Sequence, residues 1–278
     1  MKNITQQNFI LSLVENIIRS NIYVFIFIRD LFPRFLSKYI YETDFKVLKY
    51  LERIKKFDNF EIIDIGGNDG ISIISIRNFS KKKIISFEPC LVNFLKIINN
   101  KTFTNVKIIN VGLSNKKNLN TKLYQAYFKN FHLSSFDSIE KKNVINHLNN
   151  SIFDKNNLKK IKIRYEKIKI NKLDHYKTIR PYFIKIDIQG HEYECITGSL
   201  KIIKKFLPIL MIEYEKNTIN KIHDVLKKFS YEKFFYVSKK NTLILHNSEI
   251  VFNIFFIHKS HIKNIKKEIL LKYDSYNT

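Results

Sequence analysis

Asp64, Gly66, Asn68 and Gly70 stand at alternate positions in the stretch Phe60–Ile73, FEIIDIGGNDGISI. An acid that ends an apolar run, followed by glycines and renewed apolar residues, is the strand–turn–helix opening of a doubly wound sheet. Ligands of such sheets bind beyond the carboxyl ends of the strands. Gly66 and Gly70 let the backbone approach a ligand and take positive φ, and Asp64 can hold a turn amide or a ligand ammonium. Glu88, 24 residues after Asp64, closes the next apolar run, Lys83–Phe87. An acid there is placed to accept hydrogen bonds from two ribose hydroxyls. A dinucleotide fingerprint G-x-G-x-x-G would need glycines where the chain has Asn68 and Ile71, and the Gly-Lys-Ser/Thr phosphate cradle is absent.

A second polar cluster follows the run Tyr182–Ile188: Asp187, Gln189, Gly190, His191 and Glu192. The zinc helix H-E-x-x-H needs a histidine at 195, which is Cys195, so that metal chemistry fails. His191 reads either as a general base, its ordinary pKa being about 6.5, or as an exposed residue at a helix start. Glu192 either complements the positive end of that helix or binds substrate. Glu213, ending the run Ile209–Ile212, is either a simple strand-end acid or an acceptor contact.

The glycine turn with Asp64, the FEP at Phe87–Pro89 and IKIDIQGHE at Ile184–Glu192 together resemble the FkbM family of class I S-adenosylmethionine-dependent methyltransferases. The likeness covers about residues 58–257 and is strongest in these short blocks. It implies that Asp64, Gly66, Asn68 and Gly70 cradle the methionine part of S-adenosyl-L-methionine and that Glu88 holds the ribose. Asn110–Ser114 (NVGLS) resembles the family's third motif, which puts Asn110 beside the adenine, although Ala is more usual at Gly112. Leu173-Asp174 matches a short family element. Many members carry Glu at Gln189. By the same resemblance Asp187 and His191 are the catalytic candidates, in that order, and Gln189, Glu192 and Glu213 face the substrate; Asp187 also reads as a cap of the helix that follows it. The implied reaction is displacement at a sulfonium methyl by a hydroxyl oxygen. Alignment of the reactants supplies ~7–11 kcal/mol, and removal of the hydroxyl proton a further ~10²–10⁴-fold. No ligand set for a metal is visible.

These groups need a sheet to hold them. Strands are expected at Glu61–Ile65, Lys83–Phe87, Val106–Val111, Tyr182–Ile188 and Ile209–Ile212, with Lys233–Val237, Thr242–Leu245 and Asn253–Ile257 closing. The class is α/β: a Rossmann-like class I methyltransferase fold with a seven-stranded, mostly parallel sheet, an antiparallel last strand and an N-terminal helical segment. Helices are expected after Gly70, from Pro89 through Leu91, Phe94, Leu95 and Ile98, over Thr218–Phe229, and over Ile262–Leu271. Residues 1–57 read as a helical extension or lid, with Ile10, Leu13, Val14, Ile17 and Ile18 at helical spacing after Thr5 and a second helix capped at Thr43. Residues 58–278 form the methyltransferase domain. Residues 115–172 are a variable insertion with strands at Leu119–Tyr124 and Ile161–Ile170, either a substrate loop or a solvated excursion.

The chain has 278 residues, a net charge of +24 and two cysteines, which exclude a disulfide framework. A reducing, cytoplasmic setting is the default expectation. The charge admits an anionic partner, yet only 7 of 49 basic residues are Arg and the lysines are dispersed, as codon bias alone would produce. The run Ile22–Ile28 is too short to span a bilayer; residues 10–36 either lie peripherally at a membrane or pack on the protein. The expected acceptor is a small-molecule or glycan hydroxyl. A nucleic-acid methyltransferase competes, but the [DNS]-P-P-[YFW] tetrad of amino-methylating enzymes is replaced here by DIQG. A non-catalytic protein that retains the fold is the third reading.

Overall fold

The computed structural model describes residues 21–24, 26, 42–151, 153–247 and 250–272. Expectations for residues 1–20 and 27–41 lie outside them. The chain divides into two compact units, residues 41–121 with 167–278, and residues 1–40 with 122–166.

The larger unit opens with a 3-10 turn, Thr43–Val47, and α1 (Leu48–Leu51). Glu42, not Thr43, is the residue before the turn, and no side chain caps it. Phe45, Leu48, Leu51 and Ile54 are buried, so residues 42–57, read from the sequence as part of an extension, belong to the core of this unit. The α/β alternation follows: β1 (Glu61–Ile65), α2 (Ile71–Arg77), β2 (Ile84–Phe87), α3 (Leu91–Ile98), β3 (Val106–Ile109) and β4 (Gly112–Leu113). Helix α3 begins two residues after Pro89. Strands β5 (Asn118–Phe128) and β7 (Ile161–Asn171) each begin in one unit and end in the other; β6 (Phe131–His132), α4 (Lys141–Asn149) and α5 (Lys155–Leu158) lie between them. The chain then runs β8 (Pro181–Ile186), α6 (Glu192–Thr197), α7 (Leu200–Phe206), β9 (Ile209–Glu213), α8 (Lys216–Lys227), β10 (Tyr231–Val237), β11 (Thr242–Leu245), β12 (Asn253–His258), α9 (Lys259–Ile265) and β13 (Leu270–Lys272).

The main sheet has the order β13-β11-β10-β12-β9-β8-β1-β2-β3. Strands β9, β8, β1, β2 and β3 are parallel, and β12 lies antiparallel between β9 and β10. The eight expected strand ranges are therefore all present in this sheet, one more than the seven strands expected for the fold, and β13 makes nine. Three strands run against the parallel set: β12 inside the sheet, and β11 and β13 at its edge. Every residue of β8 is buried, as a strand covered on both faces requires. One face carries residues 45–57, Ile73 and Ile76 of α2 and Ile97 of α3; the other carries Cys195 and Ile196 of α6, Ile202 and Ile203 of α7, and Ile219, Ile222 and Leu226 of α8. Strand order reverses between β1 and β8, so the crevice of this fold opens where those two strands end. The helix expected over Ile262–Leu271 starts and stops earlier. His258 caps α9 by accepting from the Ser260 amide, and Leu270–Lys272 pairs with β11 as a strand.

In the smaller unit, Ile22 and Ile26 are buried with Ala126, Phe128, Leu133, Val144, Leu148 and Phe153, so these two residues serve a core rather than a lipid surface. Val144 and Leu148, four residues apart, anchor α4 in a stretch whose Asn and Lys content hid the helix. His132 Nε2 lies 2.8 Å from Asp137 Oδ1, and burial pushes the Asp137 carboxyl up to about 6. Among the described residues no helix is long and apolar enough to cross a membrane.

Candidate active site

The tips of β1 and β8 meet at Gly66. Its φ is +85°, and a Cβ built there would overlap the Asp187 carbonyl oxygen. One turn later Gly70, at φ +92°, lies against the Phe103 ring. Between them Asn68 also has positive φ, and its amide donates to Glu88 Oε2 at 2.7 Å. Glu88 Oε1 accepts from the Cys90 amide at 2.8 Å. The Asn110 amide group donates to the carbonyls of Glu88 and Pro89, each at 2.9 Å. Glu88 thus ties the β1 turn to the β2 turn, while Asn110 pins the backbone around Glu88.

Under the Gly66 turn lies a buried polar row. Asp64 is fully buried and accepts from Ser72 Oγ at 2.9 Å and Ser86 Oγ at 2.8 Å. Its register partner on β8 is Lys185, whose Nζ lies 3.8 Å from Asp64 Oδ1 and 3.2 Å from Asp187 Oδ2. Gln189 Nε2 donates to Asp187 Oδ1 at 3.0 Å and Glu213 Oε2 at 3.1 Å. Glu213 is paired on its other side with Asn253, which donates to Glu42 and, at 3.0 Å, to Asp44. Lys185 faces four carboxyl groups in this row, those of Asp187, Asp64, Glu42 and Glu213, and the sequence reading singled out neither it nor Glu42, Asp44 and Asn253.

The charges sort accordingly. Burial works against the Lys185 ammonium, but Asp187, Asp64 and Glu42 outweigh it and raise its hold on the proton. Burial works to raise the Asp187 carboxyl; Lys185 and then Gln189 overcome this and hold it below the usual carboxylate range. Burial raises Glu42 and Asp44. Glu213 is pushed up to about 9, by burial first and then by the charges of Asp187 and Glu192. Near neutrality Glu213 is therefore the protonated partner of the ionised Asp187. Such a depressed carboxylate orients a donor better than it removes a proton.

Glu213 makes a testable pH statement. Between the ordinary carboxylate range and about pH 9 the folded chain keeps this proton and the unfolded chain has released it. Its contribution to stability is thus present at low pH and declines as pH rises through that window. Glu213→Gln keeps a neutral donor and removes the decline. Thermal melts are expected to show the variant gaining about 3 °C or more on the wild type between about pH 6 and pH 8.5. Parallel pH profiles would mean that Glu213 is already ionised.

The HE pair serves a different purpose. Glu192 is buried, and its Oε1 accepts from the amides of Ile188 and Gly190, both at 3.1 Å, so it shapes the β8 loop instead of facing a substrate. His191 Nε2 lies 2.8 Å from the hydroxyl of buried Ser114, and Nδ1 lies 3.3 Å from Glu194 Oε2. Both ring nitrogens are engaged, which binds the loop after β4 to the start of α6.

The description Methyltransferase FkbM domain matches residues 64–234. The chain belongs to that family. The FkbM match begins at Asp64 and encloses Glu88, Asn110, Lys185, Asp187 and Glu213, whereas Glu42, Asp44 and Asn253 lie outside it. No curated protein matches the sequence. Among solved structures, the methyltransferase FkbM from Methylobacillus flagellatus KT is similar at 12% identity and TM-score 0.44, over 72% of this chain and 44% of that one. The chain thus spans less than half of that structure's length. The O-methyltransferase from Bacillus cereus in complex with SAH is similar at 12% identity and TM-score 0.36, over 79% of this chain and 82% of that one. An rRNA methylase from Streptococcus thermophilus is similar at 13% identity and TM-score 0.36, over 79% and 98%.

Proposed function

We propose that this FkbM domain transfers the methyl group of S-adenosyl-L-methionine to a hydroxyl oxygen, the acceptor being a sugar or glycan. One observation carries the reading. Asp64 and Glu88 stand at the tips of adjacent strands beside the switch point of the sheet, joined through the Asn68 turn, and the Lys185 ammonium beside them faces the carboxyl groups of Asp187, Asp64, Glu42 and Glu213. A cationic sulfonium suits that surplus of carboxyls, and a carboxylate at Glu88 suits a ribose. The donor's methionine part would lie along Gly66, Asn68 and Gly70, with buried Asp64 supporting that turn from beneath instead of touching the donor, its ribose at Glu88, and its adenine toward Asn110. Asp187, fixed by Lys185 and Gln189, would orient the acceptor hydroxyl near the methyl group. Bound, the donor supplies an already activated methyl, so alignment by this rim accounts for most of the rate.

Calorimetry with S-adenosylmethionine and S-adenosylhomocysteine tests the proposal. The wild type is expected to bind both. Glu88→Gln, which keeps one acceptor oxygen, is expected to weaken both by roughly 10-fold, about 1.4 kcal/mol, with its melting temperature as the folding control. A folded wild type that binds neither ligand removes the reading. Labelled-methyl incorporation into glycans, RNA and DNA then separates the acceptor classes.

A further inference from the structure

Helix α3 turns an apolar side outward. At 100° per residue, Ile98, Leu91, Leu95 and Val92 fall on one continuous arc of roughly 120°. They are 56%, 50%, 45% and 44% exposed, while Asn93 and Ile97 on the opposite side are buried. Exposed Lys96 bounds the arc, and exposed Lys101 follows the helix end. No Asp or Glu occurs from Pro89 to Phe136. Within the larger unit that stretch exposes Lys96, Lys101, Lys107, Lys116 and Lys117.

Contiguous exposed apolar side chains mark a contact surface, and the charge around them selects its occupant. A second copy packed on this face about a twofold axis would set the same acid-free segments against each other. An anionic bilayer meets both features, taking the apolar side chains at the acyl boundary and the lysines at the headgroups. The net charge of +24 adds long-range attraction to such a surface. We propose that α3 is a peripheral docking face for anionic phospholipid. This rests on α3 and its lysines alone and is independent of the methyl-transfer reading.

Sedimentation of the full chain with vesicles tests it. Binding is expected with phosphatidylcholine containing about 30% phosphatidylglycerol and not with phosphatidylcholine alone, and it should weaken as salt rises. Leu95→Ser/Ile98→Ser is expected to reduce binding ~10-fold or more. Lys96→Glu/Lys101→Glu should do the same while leaving every apolar side chain in place. Neither pair touches the rim, so melting temperature and S-adenosylhomocysteine binding are expected to hold. Three results would overturn the assignment: no binding to anionic vesicles, wild-type binding by both variants, or a dimer in light scattering that Leu95→Ser/Ile98→Ser dissolves.

Discussion

Gly66→Ala is expected to destabilise the fold by about 2–5 kcal/mol, combining ~1–2 kcal/mol for a side chain in left-handed backbone with ~1–3 kcal/mol for overpacking. Gly66 sits at φ +85°, and the new methyl group would overlap the Asp187 carbonyl oxygen, which belongs to the β8 backbone. The Asp187 amide in turn donates to the Ile65 carbonyl at 3.1 Å, so β8 cannot withdraw without breaking its pairing to β1. The strain therefore falls on the crevice itself. Any variant that folds is expected to lose donor binding as well. Gly112→Ala is the matched control. Its nearest contacts for a new Cβ are side-chain atoms, Ile170 Cγ2 at 3.1 Å and Pro89 Cβ at 3.5 Å, and its φ lies outside the left-handed region. A loss within about 1 kcal/mol is expected there. Urea unfolding of both variants decides the matter. Equal midpoints for Gly66→Ala and Gly112→Ala would show that β1 and β8 do not abut as described.

The same juxtaposition explains what could be read in advance. β1, β2, β8 and β9 announce themselves because strands buried on both faces are written as unbroken apolar runs. The acids at their ends follow, and Asp64, Glu88, Asp187 and Glu213 lie along one rim as the spacing implied. Lys185 is legible in the sequence. It is a charge inside an apolar run, two residues before Asp187, and alternation puts both on one face. Glu42 and Asp44 were not legible, since they reach Asn253 across 211 and 209 residues and nothing local marks that pairing. The tie between His191 and Ser114 spans 77 residues and is hidden in the same way. Glu192 misled because an acid next to His191 looks available to a ligand. Its neighbours in space are backbone amides of its own loop, a relation that depends on positive φ at Gln189 and Gly190.

Lys185→Met removes the cation on which the polar row depends, and the expected cost is ~3–5 kcal/mol, the usual consequence of leaving buried carboxylates unpaired. Met fills nearly the same volume, so the loss is electrostatic rather than a cavity effect. Lys185 is 4% exposed and Asp64 beneath it is fully buried, so water cannot replace the ammonium on that side, while Asp187, with 34% of its side chain exposed, is partly solvated. The pH dependence separates this account from simple mispacking. In the wild type the Asp187 carboxyl is held below its ordinary range, so its contribution to stability is present above about pH 4, the unfolded value, and is lost as pH falls through the folded value. The variant lacks that contribution. The gap between the two proteins should be widest near neutrality and should narrow as pH falls, closing below the depressed folded value of Asp187, where that carboxyl is protonated with or without Lys185. A packing defect would keep the gap constant with pH. In the folded fraction, the row without its ammonium carries one more unit of negative charge. The variant is therefore expected to favour cationic S-adenosylmethionine over neutral S-adenosylhomocysteine more strongly than the wild type does. An unchanged ratio of the two affinities would place the sulfonium away from this row.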